Sequence, residues 1–323
     1  MARIAVIGAA LQDIYLIDHD DLAPTQIDGE AILGKLLVGS KVDIDKLAYE
    51  VGGGGLNVAV GLSRTRHEVI LMSNIGDDSA GEAVMRVLDR EEIDNSYINY
   101  IGNKATGTSI ILLDSRGGER TILTYRGASG NFKNIAAGDL ELIQPDWLYI
   151  TTMHGDFETL RAIIDKARKL GIKIMFNPGT NEIKDAAKLL KMLAIVDVVL
   201  LNKVEAAGLV PGNILSELLY HLSGYAPITI ITDGPMGGIA GNRETGETYR
   251  FGIYEDVKIR DATGAGDAFG AGFLGAWASG KSFRQALIFA SANSTAVISR
   301  IGGNRGTLTG QEDLHPMPIQ KVN

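Results

Sequence analysis

The chain has 323 residues, of which 45% are hydrophobic and 22% are charged, and its formal net charge is −8. This composition excludes global disorder and provides enough apolar surface for a buried core. The acidic balance disfavours a nucleic-acid partner, because phosphate-backbone binding needs a broad basic face. The absence of cysteine excludes disulfides, thiolate zinc sites and a cysteine nucleophile.

The apolar stretch at the N-terminus, Ile4 to Ile7, is too short for a signal peptide and predicts the first strand of a sheet. No apolar run reaches the roughly 18 residues that a membrane span needs. We therefore expect a cytoplasmic protein without a membrane partner, acting on a small molecule. Asp13 lies just beyond the first strand, at the edge where open α/β sheets bind ligands.

Four consecutive glycines, Gly52 to Gly55, precede Asn57 and a helical stretch from Val58 to Arg64. Glycines allow a ligand to touch the backbone, and the Asn57 amide offers both a donor and an acceptor for sugar hydroxyls. The pattern therefore indicates a binding turn, although a flexible turn beside a surface aspartate is an equally good explanation of these residues alone.

The first half of the chain contains strands without long helices between them. Thr108 to Leu113 and Arg120 to Tyr125 flank Ser115 to Gly118, which predicts a hairpin. We expect a small secondary sheet that covers a site on the main sheet and is formed by segments about 14–50 and 98–127. The alternative is that these are edge strands of the main sheet.

The second half alternates strands with helical patterns. The strand-like segments are Trp147 to Thr152, Ile172 to Asn177, Val196 to Asn202 and Ile228 to Thr232, and the helix after the first of them stops at Gly171. This order predicts right-handed βαβ units and a parallel sheet covered on both faces. We expect residues 1–323 to form a single domain.

A glycine-rich turn, Asp261 to Asp267, precedes a helix of small residues. Gly264, Ala265 and Gly266 would expose consecutive backbone N–H groups at the helix N-terminus, where the partial positive charge favours an anion. Asp267 is expected to stay ionised and to accept a proton from a substrate hydroxyl. A turn with an aspartate cap is the structural alternative.

The segment Gly275 to Ser282 matches the Walker A pattern GxxxxGK[ST]. A phosphate-binding loop of this kind needs a buried strand that runs into it, whereas the residues upstream are small and helical. We expect Gly280 to end one helix and Ser282 to cap the next. A P-loop NTPase that uses this segment is the less favoured alternative.

The chain resembles the ribokinase-like, or PfkB, family of carbohydrate kinases over nearly its whole length. Gly52 to Val60 is similar to the family's N-terminal sugar motif, and Asp261 to Phe269 is similar to its C-terminal signature. Supporting segments follow in family order: Ile75 to Asp78 with Gly81, Asn177-Pro178, Asn202 to Glu205, and Thr232 to Gly237. The resemblance implies an α/β fold, a Rossmann-like three-layer core with a mostly parallel sheet and a small β-sheet lid, which often joins two copies as a homodimer.

The resemblance also implies ATP-dependent phosphorylation of a hydroxyl group on a small sugar, with Asp267 as the general base and Gly264, Ala265 and Gly266 as the anion hole. It assigns the substrate to Asp13, Gly53, Gly54, Asn57, Arg126 and His154, although a loop histidine without a ligand is the favoured alternative for His154. It assigns the nucleotide to Asn202, Thr232, Gly234, Gly237 and Asn293. Mg²⁺ is assigned through water to Glu205, and a monovalent cation such as K⁺ to Asp261, Thr263 and carbonyls near Val297, Arg300 and Gly302.

The substrate stays open among ribose, fructose, a keto-deoxy acid and a nucleoside. Members acting on phosphorylated sugars carry a lysine and an arginine where this chain has Gly54-Gly55 and Thr106 to Thr108, which favours an unphosphorylated substrate. Tyr125 to Ser129 resembles the lid segment of 2-keto-3-deoxygluconate kinases, in which an arginine assists with a carboxylate. A catalytically silent relative that binds sugar or nucleotide is a further alternative.

Two other positions depart from the family pattern. Ser291 stands where several members place an asparagine near adenine, and Asn293 follows two residues later. Thr65-Arg66 replaces the common Leu-Gly after the first helix, which removes a C-terminal glycine cap and concerns stability.

Overall fold

The computed structural model describes residues 1–17, 24–27, 30–33, 39, 41, 43–44, 46–114, 119–255 and 257–322. Its strands are β1 (Arg3–Ile7), β2 (Leu11–Ile17), β3 (Pro24–Ile27), β4 (Glu30–Leu33), β5 (Lys46–Gly52), β6 (Glu68–Ile75), β7 (Ile98–Tyr100), β8 (Thr108–Asp114), β9 (Glu119–Tyr125), β10 (Trp147–Ile150), β11 (Lys173–Phe176), β12 (Val198–Asn202), β13 (Ile228–Thr232), β14 (Gly238–Asn242), β15 (Glu247–Phe251) and β16 (Ile319–Val322). Its helices are α1 (Gly54–Arg64), α2 (Ser79–Arg90), α3 (Leu140–Ile143), α4 (Phe157–Lys169), α5 (Thr180–Ile183), α6 (Ala186–Leu193), α7 (Lys203–Ala207), α8 (Leu215–Leu222), α9 (Ala265–Ala278) and α10 (Phe283–Ile298).

The main sheet contains ten strands among the described residues, in the order β16-β15-β14-β13-β12-β11-β10-β1-β6-β7. The strands from β13 to β7 are parallel, and β14 to β16 continue the sheet in antiparallel pairs. The carboxyl ends of the parallel strands therefore meet at one edge, where the loops of the candidate site begin.

Helices cover both faces of this sheet. Because successive side chains of a strand point to opposite sides, the central strands contribute to a buried cluster on either face. Ile4 and Val6 of β1 belong to a buried cluster formed with α1, α2, α9 and α10. Ala5 and Ile7 belong to a second cluster, formed with α3, α4, α6 and α8. The α/β class and the three-layer core predicted from the sequence are confirmed.

A separate four-stranded sheet, here called the small sheet, has the order β5-β2-β8-β9. Strands β8 and β9 form the predicted hairpin, whose turn at Ser115 to Gly118 lies outside the described residues. The predicted segments differ from the observed small sheet in three places. Strands β3 and β4, inside the predicted segment 14–50, pair with each other as a separate two-stranded sheet. Ile98–Tyr100 pairs with β6 in the main sheet, and β2 already begins at Leu11, so Asp13 is part of the small sheet.

The segment that matches Walker A does not follow a strand. Gly275 lies inside α9, Gly280 ends this helix with a φ of 78°, and Ser282 caps α10 through the backbone N–H of Gln285 at 3.3 Å. Both expectations for this turn are confirmed, and the geometry does not provide the loop that a P-loop NTPase requires.

At the end of α1, Arg66 adopts a φ of 66°, a left-handed conformation that the family's common glycine would take without strain. Within the described part of the chain, we find no helix with the length and apolar character needed to cross a bilayer.

Candidate active site

A cavity of about 240 Å³, here called the first cavity, lies between the small sheet and the carboxyl ends of β1 and β10. Every residue that the resemblance assigned to a substrate lines it, and Thr263, Gly264 and Asp267 line it as well. The structure thus brings together residues from five separate parts of the sequence.

The glycine turn before α1 is closely packed against the end of β1. Gly53 has a φ of 93°, and a Cβ atom at this position would lie 2.5 Å from the carbonyl oxygen of Ala9. A Cβ atom on Gly54 would lie 3.4 Å from Oδ1 of Asp267. A side chain at position 53 would therefore clash with the backbone of Ala9, and one at position 54 would contact the carboxylate of Asp267.

Asp267 lies in the first turn of α9, one turn after the left-handed Gly264 at the helix N-cap. Its Oδ2 atom accepts a hydrogen bond from Nδ2 of Asn57 at 2.8 Å. Burial raises the pKa of Asp267 to about 6, and the hydrogen bond from Asn57 acts in the opposite direction. The carboxylate is mostly ionised at neutral pH, as a base requires.

Asp13 on β2 is 4% exposed and faces the same cavity. Burial raises its pKa to about 7; a hydrogen bond with Ser109 lowers it, and the charges of Asp261, Glu50 and Asp267 raise it further. Near neutral pH both protonation forms of Asp13 are populated. The side chain can therefore accept from, and donate to, the hydroxyls of a bound sugar.

Arg126 and His154 form the end of the first cavity that lies against β9 and β10. Nη1 of Arg126 lies 2.8 Å from Nδ1 of His154. Burial and the Arg126 charge lower the pKa of His154 to about 4, although Glu182 opposes this shift. The imidazole is neutral at physiological pH, so Arg126 provides the positive charge at this end.

Glu182 organises the loop that carries His154, and it was not predicted from the sequence. The side chain is fully buried. Its Oε1 atom accepts from the backbone N–H groups of Met153 at 2.9 Å and Gly155 at 2.8 Å, and its Oε2 atom accepts from Oγ1 of Thr152 at 2.8 Å and from the N–H of Gly179 at 2.9 Å. This carboxylate links the loops that follow β10 and β11.

A second cavity, of about 190 Å³, lies beside the N-terminus of α9. The predicted residues Thr232, Gly234, Gly237, Ala265 and Gly266 line it. Its remaining wall is largely apolar and includes Phe251, Ile253, Ile259, Phe269 and Ile298. Because Gly264 borders the first cavity and Gly266 borders the second, the glycine turn lies where the two cavities approach each other.

Asn293 does not line the second cavity, which corrects its assignment to a nucleotide. The side chain is fully buried, with Nδ2 donating to the carbonyl of Ala268 at 2.7 Å and Oδ1 accepting from the N–H of Leu308 at 2.7 Å. Ser291 and Ser294 of the same helix line the cavity instead. Two residues along a helix rotate a side chain by about 200°, which turns Asn293 away from the face of Ser291.

Asn202 and Glu205 lie at the start of α7, outside the lining of both cavities. Oδ1 of Asn202 accepts from the N–H of Glu205, and Oε2 of Glu205 accepts from the N–H of Asn202, both at 2.9 Å. This reciprocal pair is a helix capping box. Burial raises the pKa of Glu205 above its usual value, and the hydrogen bonds from Asn202 oppose that shift.

Asp261 is fully buried behind the glycine turn. Its Oδ1 atom accepts from the N–H of Thr263 at 2.9 Å and its Oδ2 atom from the N–H of Gly302 at 3.1 Å. Of the predicted carbonyls, that of Val297 lies in the last turn of α10 and already accepts from the N–H of Arg300 at 3.0 Å, whereas those of Arg300 and Gly302 lie in the turn after this helix.

The model of the pfkB family carbohydrate kinases matches residues 1–309, so the chain belongs to this family. The family and the enzyme class predicted from the motifs are thereby confirmed.

Similar curated proteins include a ribokinase of Bacillus subtilis, 28% identical over 319 residues (97% of this chain and 98% of the relative), and a ribokinase of Haemophilus influenzae, 26% identical over 290 residues (87% and 90%). Among solved structures, the Arabidopsis thaliana ribokinase complexed with ribose and ATP has a TM-score of 0.77 at 20% identity, covering 95% of this chain and 94% of that one. The adenosine kinase of Sinorhizobium meliloti has a TM-score of 0.78 at 19% identity, covering 95% and 97%. These structures share the fold with this chain, although their names refer to different substrates.

Proposed function

We propose that the chain transfers a phosphoryl group from ATP to a hydroxyl group of a small sugar or sugar-like substrate bound in the first cavity. The observation that carries this proposal is the position of Asp267. Its carboxylate lines the first cavity, while the glycine turn just before it borders both cavities. A base for the acceptor and an anion-binding turn are therefore adjacent.

In the proposed reaction, the substrate hydroxyl donates its proton to the carboxylate of Asp267. The substrate oxygen forms a bond to the γ-phosphorus of ATP, and the bond between this phosphorus and the bridging oxygen breaks, which releases ADP. A pKa of about 6 keeps Asp267 mostly ionised at pH 7 and close enough to that pH to be an effective proton acceptor.

ATP is proposed to bind in the second cavity, with its base against the apolar wall and its phosphates at the N-terminus of α9. Gly264, Ala265 and Gly266 would direct backbone N–H groups toward the charge that develops on the transferred group. Gly266 suits this role because no atom lies within 4 Å of the position that its Cβ atom would occupy. Asn202, at the end of β12, is assigned to the phosphate side.

Mg²⁺ would supply charge neutralisation on the phosphates. In the described part of the chain, no three His, Asp or Glu side chains form a group able to hold a metal ion. We therefore propose that Mg²⁺ binds mainly through phosphate and water oxygens and that Glu205 contacts it through a water molecule.

A monovalent cation such as K⁺ is proposed to bind beside Asp261. The carboxylate is fully buried, and among the described residues it forms no ion pair with a lysine or arginine. A buried carboxylate favours a cationic partner, and Asp261 is bonded directly to the N–H groups of Thr263 and Gly302. The cation would therefore stabilise the turn that carries the anion hole.

One observation favours a second substrate class. Arg126 lines the first cavity beside a neutral histidine, and its guanidinium makes no hydrogen bond to a carboxylate in the described part of the chain. A sugar acid, such as a keto-deoxy acid, would place its carboxylate at this cation. A neutral sugar would instead use the guanidinium and His154 as hydroxyl donors and acceptors.

The outer face of the small sheet is proposed to join two copies of the chain. The pairing of the strands places Tyr49, Ile14, Ile110 and Leu123 in one cross-strand row. Tyr49, Ile110 and Leu123 are 61%, 39% and 56% exposed, and Leu47 nearby is 51% exposed. A continuous apolar sheet face of this kind marks an interaction surface. Sedimentation of the wild type and of Tyr49→Glu tests it: a dimer that the charged variant dissociates supports the proposal.

The central proposal is tested by following the reaction with ³¹P NMR. Wild-type protein, ATP, Mg²⁺ and an accepted sugar should produce a phosphate monoester together with ADP. Asp267→Asn, matched in size and unable to accept the proton, should produce neither at a comparable rate. Release of inorganic phosphate without the monoester would contradict the proposed transfer.

A further inference from the structure

Asn304, in the loop after α10, is bonded to the side chain that contacts Asp267. It is 5% exposed, and its Nδ2 atom donates to the carbonyl oxygen of Val51 at 2.7 Å and to Oδ1 of Asn57 at 3.0 Å. Asn57 is 4% exposed, and its own Nδ2 atom donates to Oδ2 of Asp267 at 2.8 Å. A buried chain of hydrogen bonds thus runs from a backbone carbonyl to the carboxylate.

The donors and acceptors in this series of hydrogen bonds fix the orientation of both side-chain amides. The carbonyl of Val51 can only accept, so Asn304 must turn its NH₂ group toward it. The same NH₂ group then meets Asn57, which must present its oxygen there. The NH₂ group of Asn57 is consequently left to face Asp267. The reverse orientation would place an amide oxygen against the carboxylate.

The neighbouring backbone is closely packed against the Asn57 amide. A Cβ atom on Gly303 would lie 2.8 Å from Nδ2 of Asn57, and one on Gly264 would lie 2.2 Å from the carbonyl oxygen of Gly303. The loop that carries Asn304 is therefore packed against both the Asn57 amide and the N-cap of α9.

We propose that Asn304 is a positioning residue of the phosphoryl-transfer site, which fixes the Asn57 amide so that it always donates to the carboxylate of Asp267. This inference rests on the proposed role of Asp267 as the base. Asn304 is 37 residues beyond Asp267 in the sequence (304 − 267) and reaches it only through Asn57.

The other groups around Asp267 do not replace this donor. Asp13 on β2 carries the same charge as Asp267 and repels it. Tyr149 on β10 is fully buried, and burial together with the Asp267 charge raises the pKa of its hydroxyl. In the loop before α9, the Asp261 carboxylate is bonded to backbone N–H groups, and Arg120 of β9 donates to the carbonyl of Ala262. The hydrogen bond from Asn57 is what opposes the effect of burial on the pKa of Asp267.

The test is the pH dependence of kcat/KM in Asn304→Leu, which preserves size and removes the donor. Without Asn304, the Asn57 amide can rotate and the ionised form of Asp267 loses its donor. We expect the acidic limb of the profile to move upward by about 0.5 to 1 pH unit. Activity should accordingly fall about 2- to 6-fold at pH 6 and much less at pH 8.

Thr307→Val is the matched control, since Thr307 is comparably buried in the same loop, where its hydroxyl group accepts from Arg64 and donates to the carbonyl of Asn304. It should lower the melting temperature without moving the acidic limb. In an Asn57→Ala background, Asn304→Leu should produce no further movement of that limb, because the two residues act in series. Asn304→Ala serves as a second variant should the leucine not be accommodated.

A uniform loss of activity at every pH, with an unmoved acidic limb, would show that Asn304 is only structural and would overturn the inference. Acceptor-dependent turnover by the wild type would in that case still support the proposed function. If the wild type shows no such turnover, ¹³C NMR titration of the Asp267 carboxyl decides the question without activity. A higher pKa in Asn304→Leu supports the positioning role, and an unchanged pKa refutes it.

Discussion

Replacing Asp267 by asparagine should remove activity and, at the same time, stabilise the fold at alkaline pH. Burial raises the pKa of Asp267 from 3.8 to about 6. A raised pKa means that the carboxyl contributes stability below pH 3.8 and that this contribution is lost as the pH rises through about 6. At about 1.36 kcal/mol per pKa unit, the ionised carboxylate costs the folded state up to about 3 kcal/mol at pH 8.

The asparagine side chain of this variant carries no charge, so this cost disappears. The free energy of unfolding of Asp267→Asn relative to wild type should therefore increase between about pH 4 and pH 8, by up to about 3 kcal/mol. Turnover should fall by about 10² to 10⁴, the scale expected for loss of a general base.

Denaturant unfolding at a series of pH values, together with initial rates of ADP formation, measures both effects on the same samples. Asp13→Asn is a useful comparison, because its carboxyl is buried as well but is assigned to substrate contact. A variant at position 267 with full turnover, or one whose relative stability does not change with pH, would refute the reasoning.

Three further substitutions have definite expected outcomes. Glu182→Gln places an NH₂ group opposite buried N–H and O–H donors that bond to carboxylate oxygens in the wild type. Thermal unfolding should show that the free energy of unfolding falls by about 2 to 4 kcal/mol, and KM should rise more than kcat falls. Unchanged stability would show that the loop does not depend on this carboxylate. Arg66→Gly should raise the free energy of unfolding by about 0.5 to 1 kcal/mol, because it relieves a left-handed φ of 66°; a less stable variant would mean that the Arg66 side chain contributes more than the strain costs. Lys281→Ala, in the turn between α9 and α10, should leave kcat unchanged, and loss of turnover would restore the P-loop alternative.

Local sequence patterns predicted the elements that depend on local physics. The strand Ile228 to Thr232 has the predicted bounds, whereas α9 begins at Ala265, inside the predicted turn Asp261 to Asp267. Helix α1 begins earlier than predicted, at Gly54. Helix propensity disfavours glycine there, but contact with Gly8 at the end of β1 requires it, since a Cβ atom on Gly55 would lie 2.6 Å from the Gly8 backbone.

Residues that act through long-range contacts could not be found in this way. Glu182 and Asn304 stand in no local motif that distinguishes them from other polar residues in loops, and their roles depend on loops brought together by the fold. The error at Asn293 is of another kind. Helical periodicity places Asn293 on the side of α10 opposite to Ser291. The sequence alone therefore predicts that Ser291 and Asn293 cannot both face the nucleotide.

The central claim, that this family member phosphorylates a small acceptor, is tested most directly by initial rates of ADP formation with ATP, Mg²⁺ and K⁺. Ribose, fructose, 2-keto-3-deoxygluconate and adenosine should each be compared with a blank that lacks an acceptor. We predict strong acceptance of one sugar or sugar acid and a negligible blank rate. ADP formation that is independent of the acceptor, or no turnover with any of them, would contradict the account.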